Sequence, residues 1–320
     1  MRVAGYAIAA ALLACCGLAR ADEGGCDVHD KREPTLCAYE PNSIGYTQDS
    51  DDVGFMDFKI SIRYQLFPDS ITRGLNHIDD GLGLKYSLYM AFTGRFGQYI
   101  GTRESSPVIG KRFNPKLFLR RWGDAPDRAS DSRGYIDFAY GHESNGQSIN
   151  TAAQYAAAQA ALVAAGERAD FANDHLSRGW DYLELVWKKA EYSQLHGLSS
   201  YVTLKYFLDN GLLQGKPEEY YAFENNPEGK PRNQVNGVAG MLKYVVVTEQ
   251  KWAFKDLKLV GAYETGYREI FRYNTFRFEI GSKLSQLPLN FWYQNGYNSD
   301  LAMYYKKVIS RGIEIQIGSF

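Results

Sequence analysis

The stretch Tyr135 to Ser148, YIDFAYGHESNGQS, places a base and a nucleophile two residues apart. Strand side chains alternate between faces. Ile136, Phe138, Tyr140, His142 and Ser144 therefore share one face, and Asp137, Ala139, Gly141 and Glu143 take the other. A serine hydroxyl becomes an effective nucleophile when a neighbouring base takes its proton, and His is the usual base. Asn145-Gly146 supplies a turn whose backbone N–H groups can face a developing oxyanion. A polar strand end would also produce a lone His-x-Ser, because short motifs are weak.

A third group follows in Ser177-Arg178-Gly179-Trp180-Asp181. In a strand beginning here, Asp181 shares its face with Leu183, Leu185 and Trp187. Strands adjacent in sequence tend to pair. Asp181 can then reach His142 and fix its tautomer, the task of the third member of a triad. An ionised carboxylate facing lipid with no partner is costly. The bland alternative is a carboxylate hydrated in the headgroup zone, with Asp174 and His175 the next candidates for the third position.

The elements that must hold these residues read as strands. Met56, Phe58, Ile60, Ile62, Tyr64 and Leu66 alternate with Asp57, Lys59, Ser61, Arg63 and Gln65, the pattern of a barrel strand with a lipid face and a polar lumen. Further strands are expected at 43–50, 81–96, 114–122, 133–144, 180–192, 199–208, 238–249, 257–267, 275–284, 289–298 and 312–320. The total is about twelve, and an even count puts both termini in the periplasm. The predicted fold is all-β: a transmembrane antiparallel up-and-down β-barrel with a short helical insert in one extracellular loop. Loop parity puts His142 and Ser144 at the outer end of an upward strand. A soluble β-sandwich or closed soluble barrel is the competing architecture.

Composition fits this reading. The chain has 320 residues, a net charge of −1 and 24 Tyr, 17 Phe and 5 Trp. The near-neutral charge gives no pointer to nucleic acid, and abundant aromatics suit strands and membrane-interface girdles. Residues 1–21 read as an export signal cleaved before Asp22, with acylation of Cys15 as the competing processing route. Residues 22–42 read as a periplasmic extension and 43–320 as the barrel domain. Cys26 and Cys37, with ten residues between them, are expected to pair in an oxidising compartment. Within 149–176, Thr151 can cap an Ala-rich helix that Gly166 ends. This insert reads as a solvated ornament on a tolerant loop, or else as a lid over the site.

The chain resembles the outer-membrane phospholipase A family of Gram-negative bacteria. The carrying residues are Tyr140-Gly141-His142-Glu143-Ser144-Asn145-Gly146 and Ser177-Arg178-Gly179-Trp180, with Glu104-Ser105-Ser106-Pro107, Asn114-Pro115 and Leu117-Phe118-Leu119. The similarity runs from about Tyr39 to the end. It implies a calcium-dependent phospholipase, active as a homodimer in the outer membrane, that hydrolyses acyl esters from the lipid-facing wall. Ser144 would be the nucleophile, His142 the base and Asp181 the third residue. The family's oxyanion donor maps to the N–H of Gly146. Its calcium ligands map to the carbonyl of Gln147, the hydroxyl of Ser177 and, across the dimer, Ser105. Hard oxygen donors of this kind suit calcium.

Three departures stand out. Asp181 replaces the family's usual Asn, which makes exchange of Asp181 for Asn an expected mild change. The two motifs are separated by 28 residues, 149–176, where the family has only a few. Thr93 matches a Gln that the family places in the dimer interface. An acyltransferase using the same serine and a passive porin are the other function classes. Product analysis separates the first, and bilayer conductance the second.

Overall fold

The computed structural model describes residues 36–50, 53–67, 85–103, 106–123, 134–192, 196–219, 229–247 and 254–317. A two-residue strand, β1 (Cys37–Ala38), precedes twelve long ones. These are β2 (Asn42–Asp49), β3 (Gly54–Leu66), β4 (Lys85–Gln98), β5 (Val108–Trp122), β6 (Tyr135–Ser144), β7 (Gly179–Tyr192) and β8 (His196–Phe207). They continue with β9 (Gly237–Val246), β10 (Phe254–Gly266), β11 (Thr275–Leu284), β12 (Leu287–Gly296) and β13 (Val308–Ile317). From β2 onward each strand pairs antiparallel with the next. β13 returns to β2, from Ser310 opposite Asp49 to Ile317 opposite Asn42, and closes the barrel. This is the expected up-and-down architecture.

The faces are inverted relative to a soluble protein. Ile60, Met90, Phe138, Leu242, Phe278 and Phe291 on the outer wall are each at least half exposed. Ser61, Asp137, Arg120 and Glu184 on the same strands or their neighbours are buried inside. An apolar belt around a polar interior needs lipid to cover it. That removes the soluble sandwich and the soluble barrel.

Paired charges and aromatic rings cross the lumen. Arg120 pairs with Asp137 at 2.7 Å and Lys116 with Glu184 at 2.6 Å. Glu143 meets Lys205 at 3.5 Å and also pairs with Arg232. Such buried charges are tolerated because each is partnered. Tyr39, just after β1, packs on Phe118 with ring centroids 5.3 Å apart, and Tyr89 stacks on Phe118 at 5.1 Å. β1 itself pairs with β3, Cys37 opposite Arg63. Cys37 is disulfide-bonded; its expected partner, Cys26, and the expected export signal lie outside the described residues. At the other end, Trp180, Tyr182, Phe207, Val235, Leu301, Tyr304 and Tyr305 form one buried cluster that stops the mouth.

β5 begins well before the expected Asn114. Arg95 lies opposite Arg112, but Phe96 lies opposite Gly110, so one residue is skipped. Ile109 and the skipped Lys111 are buried, and downstream of the bulge so are Lys116, Phe118 and Arg120. The inward phase passes from odd to even numbers across it. Alternation read from the sequence therefore starts only beyond the slip.

Candidate active site

Three outward residues converge where β6 meets β7. His142 lies directly opposite Asp181 in the ladder, and Ser144 opposite Gly179. Nδ1 of His142 is 2.7 Å from Oδ1 of Asp181. The Asp181 carboxylate thus fixes the proton on Nδ1 and leaves Nε2 as the basic nitrogen. Ser144 sits two residues along the same face. Among the described residues the Ser144 hydroxyl makes no hydrogen bond to the His142 ring.

Asp181 faces the outer wall yet is only 1% exposed. The cover comes from the connection that follows β8. The backbone N–H groups of Leu213 and Gln214 donate to Asp181 Oδ2 at 2.7 and 3.0 Å. The Tyr140 hydroxyl donates to the same oxygen at 2.6 Å and accepts from the Leu212 N–H at 2.6 Å. Gly211 is required at this crossing, because a Cβ there would stand 2.0 Å from Oδ2. None of these loop contacts was readable from the sequence, since they join residues 32 to 72 positions apart through backbone amides that carry no sequence signal. The glycine and the Leu212-Leu213 pair were the only cues.

Behind Ser144, Asn145 is completely buried and ties the two motifs together. Its Nδ2 donates to the Leu176 carbonyl at 2.7 Å, and its Oδ1 accepts from the Arg178 N–H at 3.0 Å. Gly146 follows with φ +65°, a left-handed conformation that glycine adopts freely. Gly146 is exposed at the turn beside Ser144.

The expected calcium donors are partly brought together. Gln147 and Ser177 lie on the two linked segments: the Ser177 N–H donates to the Ile149 carbonyl at 2.9 Å. The Ser177 hydroxyl hydrogen-bonds Glu218, whose N–H donates to the Gly179 carbonyl at 2.9 Å. Ser105 lies outside the described residues. Among the described residues there is no group of three or more His, Cys, Asp or Glu side chains placed to hold a metal. The donor set is a hydroxyl and a backbone carbonyl with one carboxylate alongside, all hard oxygens of the kind calcium accepts.

The insert carries the expected helix, α1 (Ala152–Ala164), with the Thr151 side chain accepting from the Gln154 N–H. Gly166 follows with φ +78°. Most of α1 is solvated, but its base is docked, which corrects the view of the insert as an ornament. Tyr155 is buried and donates to Asn173 at 2.6 Å. In the 3-10 turn Ala169–His175, Asp174 pairs with Arg103 and lies 3.1 Å from Lys111. Burial alone would raise the Asp174 carboxyl, but Lys111 and Arg103 hold it below the usual carboxylate range. His175 meets Gln147 Oε1 through Nδ1 at 3.1 Å, and burial lowers its affinity for a second proton. Asp174 and His175 are thus committed to the barrel mouth, while Asp181 holds His142.

Thr93 is corrected outright. It faces the lumen, 8% exposed, with its hydroxyl 2.7 Å from that of Ser61. A residue inside the barrel takes no part in an outer-wall interface. The outward residues there are Phe92 and Gly94, beside Phe113.

No family model and no curated protein matches the chain. Solved structures do. Outer membrane phospholipase A from Escherichia coli, as an active-site mutant, superposes with TM-score 0.58 at 16% identity, covering 92% of this chain and 95% of that one. Another structure of the Escherichia coli protein gives 0.55 at 17% identity, covering 88% and 98%. The Salmonella typhi outer membrane phospholipase dimer with bound calcium gives 0.55 at 15% identity, covering 93% and 98%. The chain has the fold of these outer-membrane barrels.

Proposed function

We propose that the protein is an outer-membrane phospholipase that hydrolyses the acyl esters of phospholipids and lysophospholipids at both glycerol positions. The observation that carries this reading is the His142–Asp181 pair on a lipid-facing wall with Ser144 two residues away. A water-filled channel has no use for a base and a nucleophile pointing into the membrane. Such a pair meets ester carbonyls at the glycerol level of the bilayer.

In this reading Ser144 Oγ attacks the ester carbonyl and His142 Nε2 takes its proton. Asp181 holds the ring and offsets the positive charge that forms on it. The Gly146 N–H is the oxyanion donor. His142 returns the proton to the departing lysolipid oxygen, and water then releases the fatty acid from Ser144. Calcium, when bound, would be held by the Ser177 hydroxyl and the Gln147 carbonyl, completed by Ser105 from a second copy, and would add positive charge beside the oxyanion. Glu218 gives this chain an extra carboxylate at that position.

The test is fatty-acid release from phospholipid vesicles by the reconstituted protein. Ser144→Ala should fold and lose at least ~10³-fold in turnover. Release should stop in chelator and return with calcium. A Ser144→Ala variant that releases fatty acid like the parent would remove the assignment.

A further inference from the structure

The connection between β8 and β9 does something unusual for a loop at a barrel rim. It turns back down the outer wall and covers an outward carboxylate. Leu208 N–H donates to the Asp181 carbonyl at 2.9 Å, and Gly211 N–H to the Gln214 carbonyl at 3.0 Å. Between them the turn presents two amides to Asp181 and one to Tyr140. The same turn pushes Leu212 and Leu213 outward, 88% and 66% exposed. Leu204 and Tyr206 of β8, the strand that leads into the turn, are exposed as well. One short turn thus has a polar inner side seated on the catalytic pair and an apolar outer side open to whatever surrounds the barrel.

We propose that Leu212 and Leu213 insert among the acyl chains of the leaflet around the site, and that this contact holds the turn down on Asp181. The lipid surface is then part of what positions the His142–Asp181 pair. The proposal rests on the phospholipase reading for its catalytic consequence, but not for the insertion itself. The occupant is lipid because Leu212 is tied through its N–H to Tyr140, on the same outward face as the exposed Phe138, and apolar side chains on such a face partition into the bilayer interface. The amides release Asp181 only if the turn lifts, and lifting withdraws both leucines from the acyl chains.

The experiment uses full-length protein in phosphatidylcholine bilayers. A nitroxide at Leu212→Cys should collide with oxygen, which concentrates in the bilayer, and be shielded from a water-soluble nickel chelate. Preferential nickel collisions would overturn the proposal. So would dipolar broadening at high protein density with no oxygen preference at low density, because the occupant would then be a second copy. The positioning role is read separately. Leu212→Ser with Leu213→Ser should speed amide exchange at residues 213 and 214. It should lower kcat on a soluble short-chain ester by ~10-fold, with KM unchanged. Leu212→Met with Leu213→Met should restore both. Parent-like exchange in the serine pair would overturn the clamp. If the parent hydrolyses nothing, the phospholipase reading fails while the nitroxide and exchange results still decide this one.

Discussion

Four donors converge on the Asp181 carboxylate: the His142 ring on one oxygen, and Tyr140, Leu213 and Gln214 on the other. An amide offers one oxygen and one NH2 group, so it can face only one of these sides correctly. The resemblance suggested that Asn would be mild here; the donor arrangement argues otherwise. Asp181→Asn should lose ~10–10²-fold in kcat, because its NH2 group must oppose either the imidazole or the loop amides. Asp181→Ala should lose roughly 10–10⁴-fold. Steady-state hydrolysis of both variants checks this, and an Asn variant with full activity would show that the loop side of the carboxylate does no positioning. At this scale the shared face of His142 and Ser144 and the reach of Asp181 were legible from two-residue alternation and neighbour pairing. Glu218, Leu213 and Gln214 were not, because their contacts depend on how a loop folds back. Thr93 was misread for a related reason: matching by motif gave its position along β4 but not the face it takes.

Elements tell a similar story. All twelve long strands were legible because alternation of apolar and polar residues is a local signal. The bulge that carries Lys111 was not, since a skipped residue looks like a break in the pattern. The insert was legible as a helix from Thr151 and Gly166, but its docking was not, because a lone Asp174 says nothing about two cations sixty or more residues away. Asp174, Arg103 and Lys111 are all largely buried where they meet, so the link is stronger than an exposed pair. Lys111 also meets Asp300 at 2.7 Å, so the insert, β5 and the last loop share one cation. Asp174→Ala should free the insert without unfolding the barrel, and limited proteolysis should then cut within 152–164. Because Asp174 titrates below the usual carboxylate range in the folded protein, its contribution is complete above pH ~4 and is lost as pH falls through the lowered value. His175 in the same turn is held neutral by burial, so protection of the insert should fall as pH drops below ~6.5, where the undocked imidazole takes its proton, and the Asp174 contribution should go only in stronger acid. The step between pH 7 and 5 should vanish in His175→Gln, and protection already gone at pH 5 in that variant would assign the docking to some group other than Asp174.

Among the described residues, side chains cross the barrel interior at several levels. Buried ion pairs cross the lumen, Tyr39 packs on Phe118 within it, and an aromatic cluster stops the mouth. The fold class and the lipid-facing belt could be anticipated from the sequence; the plugging could not, as inward polar residues serve an open channel and a closed one equally well. In planar bilayers the protein should therefore show no steady porin-like conductance. Long-lived nanosiemens openings at low voltage would mean that the plug is displaced in lipid. Tyr39 also constrains how the molecule is made. The seam between β2 and β13 joins strands far apart in sequence, so the barrel cannot close until β13 has been made. Tyr39 leads directly into one side of that seam. A segment that sits inside a cylinder must be laid in place before the last edge zips, or be threaded through an end afterwards. The tyrosine ahead of β2 thus ties the order of assembly to the seam: its ring reaches Phe118 either before β2 and β13 meet or through an open end of the cylinder.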